Sequence, residues 1–437
     1  MFFLMEKAEK RDKTFYLMVW YLLTRTPKCD RIVRKLRNDI PDERGCGMRI
    51  LFLTWKSFGN DDMIDAFESL GHEVIQIPYA DTQEPENTQE VRAFAGNVHQ
   101  NSPDAVFSFN YFPVVSLACK ELGIPYVCWI YDSPYVRLYH YSIAYPTNYV
   151  FVFDSSIAQE FRQGNVKTVH YLPMAANTKR LCAMNDFETF RRSAWNGKTE
   201  VAFVGSLYTE KHTFYQRMTK LKDYTRGYLE GLMAAQKQIY GYNFIQESIT
   251  EHPEIIADMQ EMLPMTPSKS GVETKEYLFA QYVINRQITA MERRELLAET
   301  AARFGLDLYT PDKDLSFTGC VNHGPVDYYD FAPYVFKTVK INLNITLRSI
   351  LAGIPLRGFD IMGAGGFLLT NFQSDFLNFF VPGEDFVYFE SKSDLMDKIV
   401  YYLAHDEERK QIAESGFQKV DREHTYIHRA QEMLSYI

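Results

Sequence analysis

Short apolar runs alternate along most of the chain with segments whose apolar positions recur every three to four residues. The runs fit strands buried on both faces, and the periodic segments fit helices with one buried face. Six strands are predicted in the first part of the chain, at residues 48–53, 74–77, 105–109, 126–130, 149–153 and 166–172. Asp61 is expected to cap the helix after the first strand. The pattern predicts a doubly wound parallel sheet.

The pattern weakens over residues 173–198 and then begins again. Further strands are predicted at residues 200–204, 315–318, 339–345 and 366–370, and closing helices at 393–404, 407–416 and 424–435. A helical stretch at about 212–304, with one loop at 264–271, interrupts this second unit. We predict an α/β protein with two Rossmann-like domains facing a cleft, at 48–175 and 199–437, joined by a linker at 176–198. The last helix belongs to the second domain in sequence, and packing of this helix back on the first domain stays open.

Composition narrows the class of protein. The chain has 437 residues, of which 46% are hydrophobic, enough for two domains with cores of their own. The formal net charge of -9 argues against a sequence-independent grip on nucleic acid, which needs a concentrated basic face. The six cysteines form no C-x-x-C pair and no zinc-type spacing. We therefore expect a reducing, cytoplasmic location.

Residues 1–47 precede the alternating pattern and are predicted to be a helical extension. They contain an apolar run at 15–23, flanked by basic residues. Nine residues are too short to cross a membrane, which takes about 20, and no small-residue cleavage site follows. A helix packed on the main body, a helix lying on a membrane surface and a disordered leader all stay open as interpretations.

A glycine and a lysine follow the first strand of the second domain. Gly205 lets an anion approach the backbone because it has no Cβ, and Lys211 can neutralise a diphosphate. An ordinary strand-to-helix turn with a solvated lysine is the alternative.

The segment GIPLRGFDIMGAGGFLLT at 353–370 combines a cation, a carboxylate and several glycines. Arg357 and Asp360 are three residues apart and share a face if the segment is helical. Arginine binds phosphate oxygens in a bidentate way, and a carboxylate can accept both hydroxyls of a ribose. Gly365 and Gly366 would let the backbone come close to a nucleotide. A local ion pair beside a glycine turn is the alternative.

Polar residues also follow strands of the first domain. Asp132 lies just after the strand at 126–130 and can accept the proton of an acceptor hydroxyl. Tyr131 precedes it, and Asn110 directly follows the strand at 105–109. Helix capping by Asp132 is the alternative, and Asp61 or Asp62 is a second candidate for the base.

Two amides lie on one face of the strand predicted at 339–345. Asn342 and Asn344 point the same way and can line a polar cleft, or they are satisfied within the sheet. Asp312 and Asp314 have a D-x-D spacing, which here fits a turn better than a metal site. We predict no metal and no permanently bound cofactor.

The chain resembles GT-B glycosyltransferases. Asp360 and Gly365 have the spacing of the acidic residue and glycine that bind the donor ribose there, and Gly205 and Lys211 have that of the phosphate-binding loop. More closely, the chain is similar to the CgeB-like spore-maturation glycosyltransferases at FSFNYFP (107–113), WIYDSP (129–134), KINLN (340–344) and the glycine-rich segment. The likeness covers about residues 48–437.

The resemblance implies transfer of a sugar from a nucleotide-diphosphate donor, held by the second domain, to a carbohydrate, protein or small-molecule acceptor at the first. Two positions depart from the superfamily pattern. Ser206 stands where an arginine is common, so Arg357 or Arg348 is expected to supply that charge. Ala352 stands where retaining enzymes often have a second acid. A nucleotide-sugar epimerase, a phosphorylase and a non-catalytic nucleotide-sugar-binding protein stay open, as do the acceptor, the stereochemistry and the oligomeric state.

Overall fold

A computed structural model gives the structure of this chain, and it describes residues 47–81, 86–209 and 214–437. The predictions made for residues 1–46 and for Lys211 lie outside the described residues.

The first sheet has six parallel strands in the order β2-β1-β3-β4-β5-β6. The strands are β1 (Arg49–Thr54), β2 (Glu73–Pro78), β3 (Ala105–Phe109), β4 (Tyr126–Ile130), β5 (Asn148–Val152) and β6 (Val169–Tyr171). The side chains of β3 and β4 are buried throughout, because helices cover both faces of the sheet. These helices are α1 (Asn60–Ser69), α2 (Thr88–Asn101), α3 (Pro113–Leu122) and α4 (Ser155–Gln163). We call this unit the N-terminal lobe.

A second parallel sheet has the order β12-β11-β10-β7-β8-β9. Its strands are β7 (Val201–Val204), β8 (Leu306–Tyr309), β9 (Cys320–Asn322), β10 (Ile341–Asn344), β11 (Leu368–Asn371) and β12 (Val387–Phe389). Two short helices precede it, α5 (Thr178–Ala183) and α6 (Phe187–Arg192). This C-terminal lobe completes the predicted arrangement of two doubly wound sheets, which is confirmed.

A helical insertion separates β7 from β8. It contains α7 (Phe214–Arg217), α8 (Asp223–Lys237), α9 (Ile245–Thr250), α10 (Pro253–Met262), α11 (Lys275–Leu278), a π-helical turn (Phe279–Ile284) and α12 (Asn285–Phe304). The remaining helices are α13 (Ala332–Thr338), α14 (Leu356–Gly363), α15 (Lys392–Ala404), α16 (Asp406–Glu423) and α17 (Tyr426–Leu434). The insertion has an apolar core of its own, which includes Leu229, Ile249 and Phe279.

Three local predictions were wrong. Residues 315–318 form no strand, because the Asn322 amide donates to the carbonyl oxygens of Asp312 and Leu315, each at 2.8 Å, and holds this segment as a loop. The insertion breaks at several loops, including residues 238–244, rather than at one. Gly59, at φ 88°, takes the N-cap position of α1 instead of Asp61, which lies in the first turn.

The two lobes contact each other directly on one side of the cleft. Ser133 Oγ donates to the Ser349 carbonyl at 3.1 Å, and the Leu351 amide donates to Asp154 Oδ2 at 2.7 Å. At the end of the chain, α17 packs on the N-terminal lobe, where the Tyr426 ring lies 5.8 Å from that of Trp129. These contacts hold the two lobes together and fix the positions of the loops that face each other across the cleft.

In the part of the chain that the structure describes, no helix has the length and apolar character that crossing a membrane requires.

Candidate functional site

The carboxyl edge of the second sheet brings together three of the predicted site residues. Gly205 directly follows β7, Asn344 ends β10, and Arg357 lies in the first turn of α14. Ligands of open parallel sheets bind beyond this edge. The structure therefore places the predicted phosphate-binding glycine and the predicted cation side by side at the expected edge.

The Arg357 guanidinium packs against the backbone of Gly205. A Cβ at position 205 would come within 2.4 Å of Arg357 Nη2, so only glycine leaves room for this contact. The guanidinium also lies over the Phe203 ring, 5.2 Å from its centroid, and Nη1 donates to Asn344 Oδ1 at 3.0 Å. Asn344 is itself oriented by Thr346 and Thr370 through hydrogen bonds of 3.0 and 2.9 Å. Arg357 is held in one place by these contacts.

Arg357 carries a charge that lacks a carboxylate partner. Among the described residues its single hydrogen bond is to the neutral amide of Asn344. Burial and the nearby charge of Arg293 lower the pKa of Arg357 to about 9, which still leaves the guanidinium charged at neutral pH. Burying an unpaired cation is costly. Such an arrangement is typical of a site that binds an anion.

A second arginine, which the sequence did not single out, stands beside the loop after β7. Arg293 of α12 donates through Nη1 to the Ser206 carbonyl and through Nε to the Ile345 carbonyl at 3.0 Å. Its guanidinium lies over the rings of Phe203 and Tyr208, at 5.3 and 5.1 Å. The guanidinium groups of Arg293 and Arg357 therefore both lie beside the loop that carries Gly205 and Ser206.

Arg348 is not part of this cluster. Its guanidinium pairs with Glu292, with Nη2 to Oε1 at 2.7 Å, and Nη1 donates to the Ile239 carbonyl at 2.7 Å. The ring of Tyr240 covers its face at 4.3 Å. The expectation that Arg348 supplies the charge missing at Ser206 is corrected by these contacts, which use Arg348 to fix the insertion.

Arg286 also lies on α12, two turns before Arg293 and on the same face. Its guanidinium lies between two tyrosine rings, 5.7 Å from Tyr208 and 5.8 Å from Tyr282. Within the described residues it has no hydrogen-bond partner, and its Nε is buried. Arg286 is thus a second cation whose hydrogen-bonding capacity is unused.

Asp360 lies on α14 one turn after Arg357, and 7% of it is exposed. The Tyr328 hydroxyl donates to its Oδ1 at 3.1 Å. Burial, and next the negative charge of Asp62, raise the pKa of Asp360 to about 7. This carboxyl therefore keeps its proton to a higher pH than an exposed aspartate does. The Tyr328 ring lies 4.8 Å from the ring of Phe58.

Asp62, a candidate base in the sequence, has a structural partner instead. Arg180 donates to both of its carboxylate oxygens, at 2.7 and 3.0 Å, and Asn177 donates to Oδ1 at 2.9 Å. Asp62 is 1% exposed. This ion pair connects α1 with the segment between the sheets and leaves Asp62 little capacity to take a substrate proton.

On the N-terminal side, Asn110 and Asp132 come together at the carboxyl ends of β3 and β4. Asn110 Nδ2 donates to Asp132 Oδ2 at 2.7 Å, while Asn110 Oδ1 accepts from the Tyr131 amide at 3.2 Å. Burial raises the pKa of Asp132, and the Asn110 hydrogen bond and the charge of Arg286 oppose this rise. The helical turn after it starts at Val136 without a side-chain cap, so Asp132 does not cap a helix.

Arg286 connects the two halves of the site. Its charge acts on Asp132 of the N-terminal lobe, and its ring contact with Tyr208 reaches the loop after β7. Tyr208 has the left-handed backbone φ of 58° and donates its amide to Ser206 Oγ at 2.8 Å. A carboxylate and several guanidinium groups thus face one cleft from opposite lobes.

Three predicted nucleotide-binding residues lie away from this edge. Gly365 has φ 78° and ends α14, and the space where its Cβ would lie is empty. A Cβ on Gly366 would meet the Phe336 carbonyl at 2.5 Å. The Asn342 amide donates to that same carbonyl at 3.0 Å. Asn342 and Gly366 pack against α13 near the start of β11, which does not fit an approach to a nucleotide at the edge that carries Gly205. The contact of Gly365 with a nucleotide stays a prediction.

No group of three or more histidine, cysteine or acidic side chains suited to a metal ion occurs in residues 47–81, 86–209 and 214–437. In the D-x-D sequence, the Asp312 carboxylate accepts a hydrogen bond from the Thr209 hydroxyl at 2.7 Å. The Asp312 carbonyl accepts one from the Asn322 side-chain amide. The pair Asp312 and Asp314 is therefore part of a turn.

Part of the chain matches the model of a known protein family. Residues 288–435 match the family model described as "Glycosyl transferase-like", which spans Arg293, Arg357 and Asp360. No curated protein sequence matches the chain.

Solved structures share the architecture. Anabaena Alr3699/HepE in complex with UDP-glucose has a TM-score of 0.54 at 11% identity, covering 89% of this chain and 100% of that one. A glycosyltransferase from Rickettsia africae ESF-5 has a TM-score of 0.50 at 11% identity, with coverage of 90% and 98%. Sucrose-phosphate synthase from Thermosynechococcus elongatus has 0.50 at 11%, with coverage of 89% and 98%. The chain thus has the two-domain α/β GT-B fold.

Proposed function

We propose that this chain is a glycosyltransferase that moves a sugar from a nucleotide-diphosphate donor to an acceptor hydroxyl without a metal ion. One observation carries the proposal: neither the Arg357 nor the Arg286 guanidinium makes an ion pair or a hydrogen bond with a carboxylate among the described residues. A diphosphate supplies the missing negative charge. The match to the glycosyl transferase-like family over residues 288–435 supports the same activity.

On the donor side, Arg357, whose guanidinium packs against Gly205, binds the diphosphate, and Arg286 and Arg293 add positive charge from α12. Guanidinium groups that are already in position stabilise the charge that develops on the leaving diphosphate. Asp360 accepts the ribose hydroxyls. We infer that the ribose hydroxyls displace the Tyr328 hydroxyl, which donates to Oδ1 of this carboxylate in the structure.

On the acceptor side, Asp132 is the general base, positioned by Asn110. The acceptor oxygen forms a bond to the anomeric carbon, the bond from that carbon to the diphosphate oxygen breaks, and the hydroxyl proton passes to Asp132. The raised pKa of this carboxyl suits a proton acceptor that works near neutral pH.

We further propose a donor of the UDP-sugar type, since Anabaena Alr3699/HepE, which shares the fold, was crystallised with UDP-glucose. The CgeB-like subtype, the cytoplasmic location and the contribution of Lys211 belong to the same proposal. So does the acceptor, a carbohydrate, protein or small molecule.

The test is a thermal-shift screen of UDP, ADP, GDP and dTDP, followed by measurement of nucleoside diphosphate release from the matching sugar donor. A nucleotide that binds the folded state raises Tm by mass action. We expect one nucleoside diphosphate to raise Tm and its sugar to be consumed. A protein that none of the four stabilises would contradict the proposal, and one that binds donor but releases no diphosphate with any acceptor would be a binding protein.

A further inference from the structure

A cavity of about 600 Å³ lies between the N-terminal lobe and the helical insertion. Small-molecule sites commonly have volumes of about 300–1,000 Å³. Its walls come from the start of α3, from residues 136–140 and from the insertion, so it is distinct from the edge that carries Arg357 and Gly205.

Main-chain hydrogen bonds fix the two walls of this cavity to each other. The Tyr141 amide donates to the Ser270 carbonyl, and the Val272 amide donates to the Tyr139 carbonyl, both at 3.0 Å. The loop of the insertion is thereby attached to the N-terminal lobe. The cavity therefore lies between two segments that are hydrogen-bonded to each other.

The wall of the cavity continues from the loops that carry the proposed acceptor residues. Pro113 follows Asn110 by three residues, and Val136 follows Asp132 by four. The Tyr282 hydroxyl accepts from the Val136 amide at 2.8 Å and donates to the Pro134 carbonyl at 3.1 Å. The cavity therefore adjoins the acceptor side of the proposed reaction.

The lining is mainly apolar, with side chains that include Val136, Leu263, Met265 and Leu278. Apolar walls of this kind favour an alkyl or aromatic group, because burying such a group removes it from water. A chain of sugars alone would need hydrogen-bond partners along these walls.

Two buried polar groups in the lining have unused hydrogen-bonding capacity. His140 is 4% exposed; its Nδ1 accepts from the Ser142 amide at 3.2 Å, so the neutral ring carries its proton on Nε2, which has no hydrogen-bond partner and lies 3.8 Å from Glu86. Glu273 is 8% exposed and uses one carboxylate oxygen for the Ser268 amide, leaving Oε2 without a partner among the described residues. Both atoms are closed off from solvent, so the apolar walls rather than these two groups decide what the cavity binds.

We propose that this cavity is the acceptor site and that it takes an acceptor in which an apolar group is attached next to the hydroxyl-bearing part. This inference rests on the proposed transferase function, because only a transferase has an acceptor. The apolar group occupies the space around Met265 and Leu278, and the hydroxyl-bearing end lies towards Asp132.

The test is calorimetric titration of the full chain, saturated with UDP, with methyl and hexyl β-D-glucopyranoside. These probes share a head group and differ by five methylenes, each worth about fourfold in affinity when fully buried. We expect hexyl glucoside to bind at least about tenfold more tightly than the methyl compound. Met265→Asp should remove most of this difference and leave the affinity for UDP unchanged.

Val272→Asp is the matched control, because its side chain is 74% exposed on the same loop and does not line the cavity. Equal affinities of the two glucosides would overturn the proposal, as would displacement of hexyl glucoside by UDP or equal losses from both aspartate substitutions. Failure of UDP itself to bind would instead count against the transferase function, and the titrations without UDP would still decide whether the cavity binds an apolar group.

Discussion

Replacement of Arg357 by alanine removes the cation on which the proposed donor site depends. In the structure this side chain has one hydrogen bond, to Asn344, and its guanidinium fills the space beside Gly205. Its loss therefore leaves one buried amide oxygen unpaired and also removes an uncompensated charge. The first effect costs about 1 kcal/mol of stability and the second offsets it. We expect Tm to change by no more than a few degrees.

The effect on the reaction should be much larger. Hydrogen bonds to charged groups contribute about 1.5–3 kcal/mol each. Two such bonds from Arg357 to the leaving diphosphate amount to at least about 3 kcal/mol, which is a factor of about 100 or more in turnover. A residue that only supported the fold would give the opposite pattern, a lower Tm with activity retained in the folded fraction.

The assay measures the release of UDP from UDP-glucose by the wild type, by Arg357→Ala and by a control, Arg422→Ala. Arg422 is an exposed arginine of α16. Affinities for UDP and UMP are measured in parallel, since the second phosphate should account for most of the affinity lost in Arg357→Ala. Full turnover by a folded Arg357→Ala protein would refute this reasoning. An unchanged ratio of UDP to UMP affinity would do the same.

Three further predictions concern the same cleft. Gly205→Ala should weaken UDP binding at least about tenfold, because its Cβ would come within 2.4 Å of the Arg357 guanidinium; in calorimetry the same change should cost less in the Arg357→Ala background. The affinity for UDP-glucose, whose diphosphate does not titrate near neutral pH, should rise between pH 6 and pH 8 as Asp360 ionises around its pKa of about 7. Asp360→Asn should abolish that rise. The contribution of Asp360 to the unfolding free energy should fall as pH rises from about 4 to 7, since the folded carboxyl keeps its proton there and the unfolded one loses it. Arg286→Met should shift the acidic limb of the pH–rate profile upward, because the charge of Arg286 lowers the pKa of Asp132; an unmoved limb would exclude this pair from catalysis.

The strands were predictable wherever both faces of the sheet are covered. The runs at 105–109 and 126–130 coincide with β3 and β4, since burial on both faces leaves an uninterrupted apolar sequence. Leu306–Tyr309 was missed because Asp307 interrupts the run. That carboxylate is 0% exposed and is satisfied by the amides of Lys198 and Thr199, a partnership that no local pattern reveals.

The candidate site divides in a similar way. Gly205 and Arg357 were predictable because a glycine after a buried strand and an arginine in a glycine-rich segment are local signals. Arg286 and Arg293 lie seven residues apart on α12, which in sequence looks like the solvated face of a helix. Their position at the cleft depends on how the insertion packs, which is a tertiary property. Their spacing was the one signal that pointed to a shared face.

The glycines after Asp360 show the limit of motif reasoning. Gly365 adopts a positive φ at the end of α14, and Gly366 packs closely against neighbouring atoms. Gly205 instead leaves room for the Arg357 side chain. All three look alike in sequence, because the absence of a Cβ answers each of these needs.

A crystal structure of the full chain with UDP tests the central claim most directly. The account predicts diphosphate oxygens at about 3 Å from guanidinium nitrogens of Arg357 and Arg286. It also predicts ribose hydroxyls on Asp360, with the Tyr328 hydroxyl displaced from that carboxylate. A diphosphate bound elsewhere, or a ribose outside the cleft with the Tyr328–Asp360 bond intact, would contradict it.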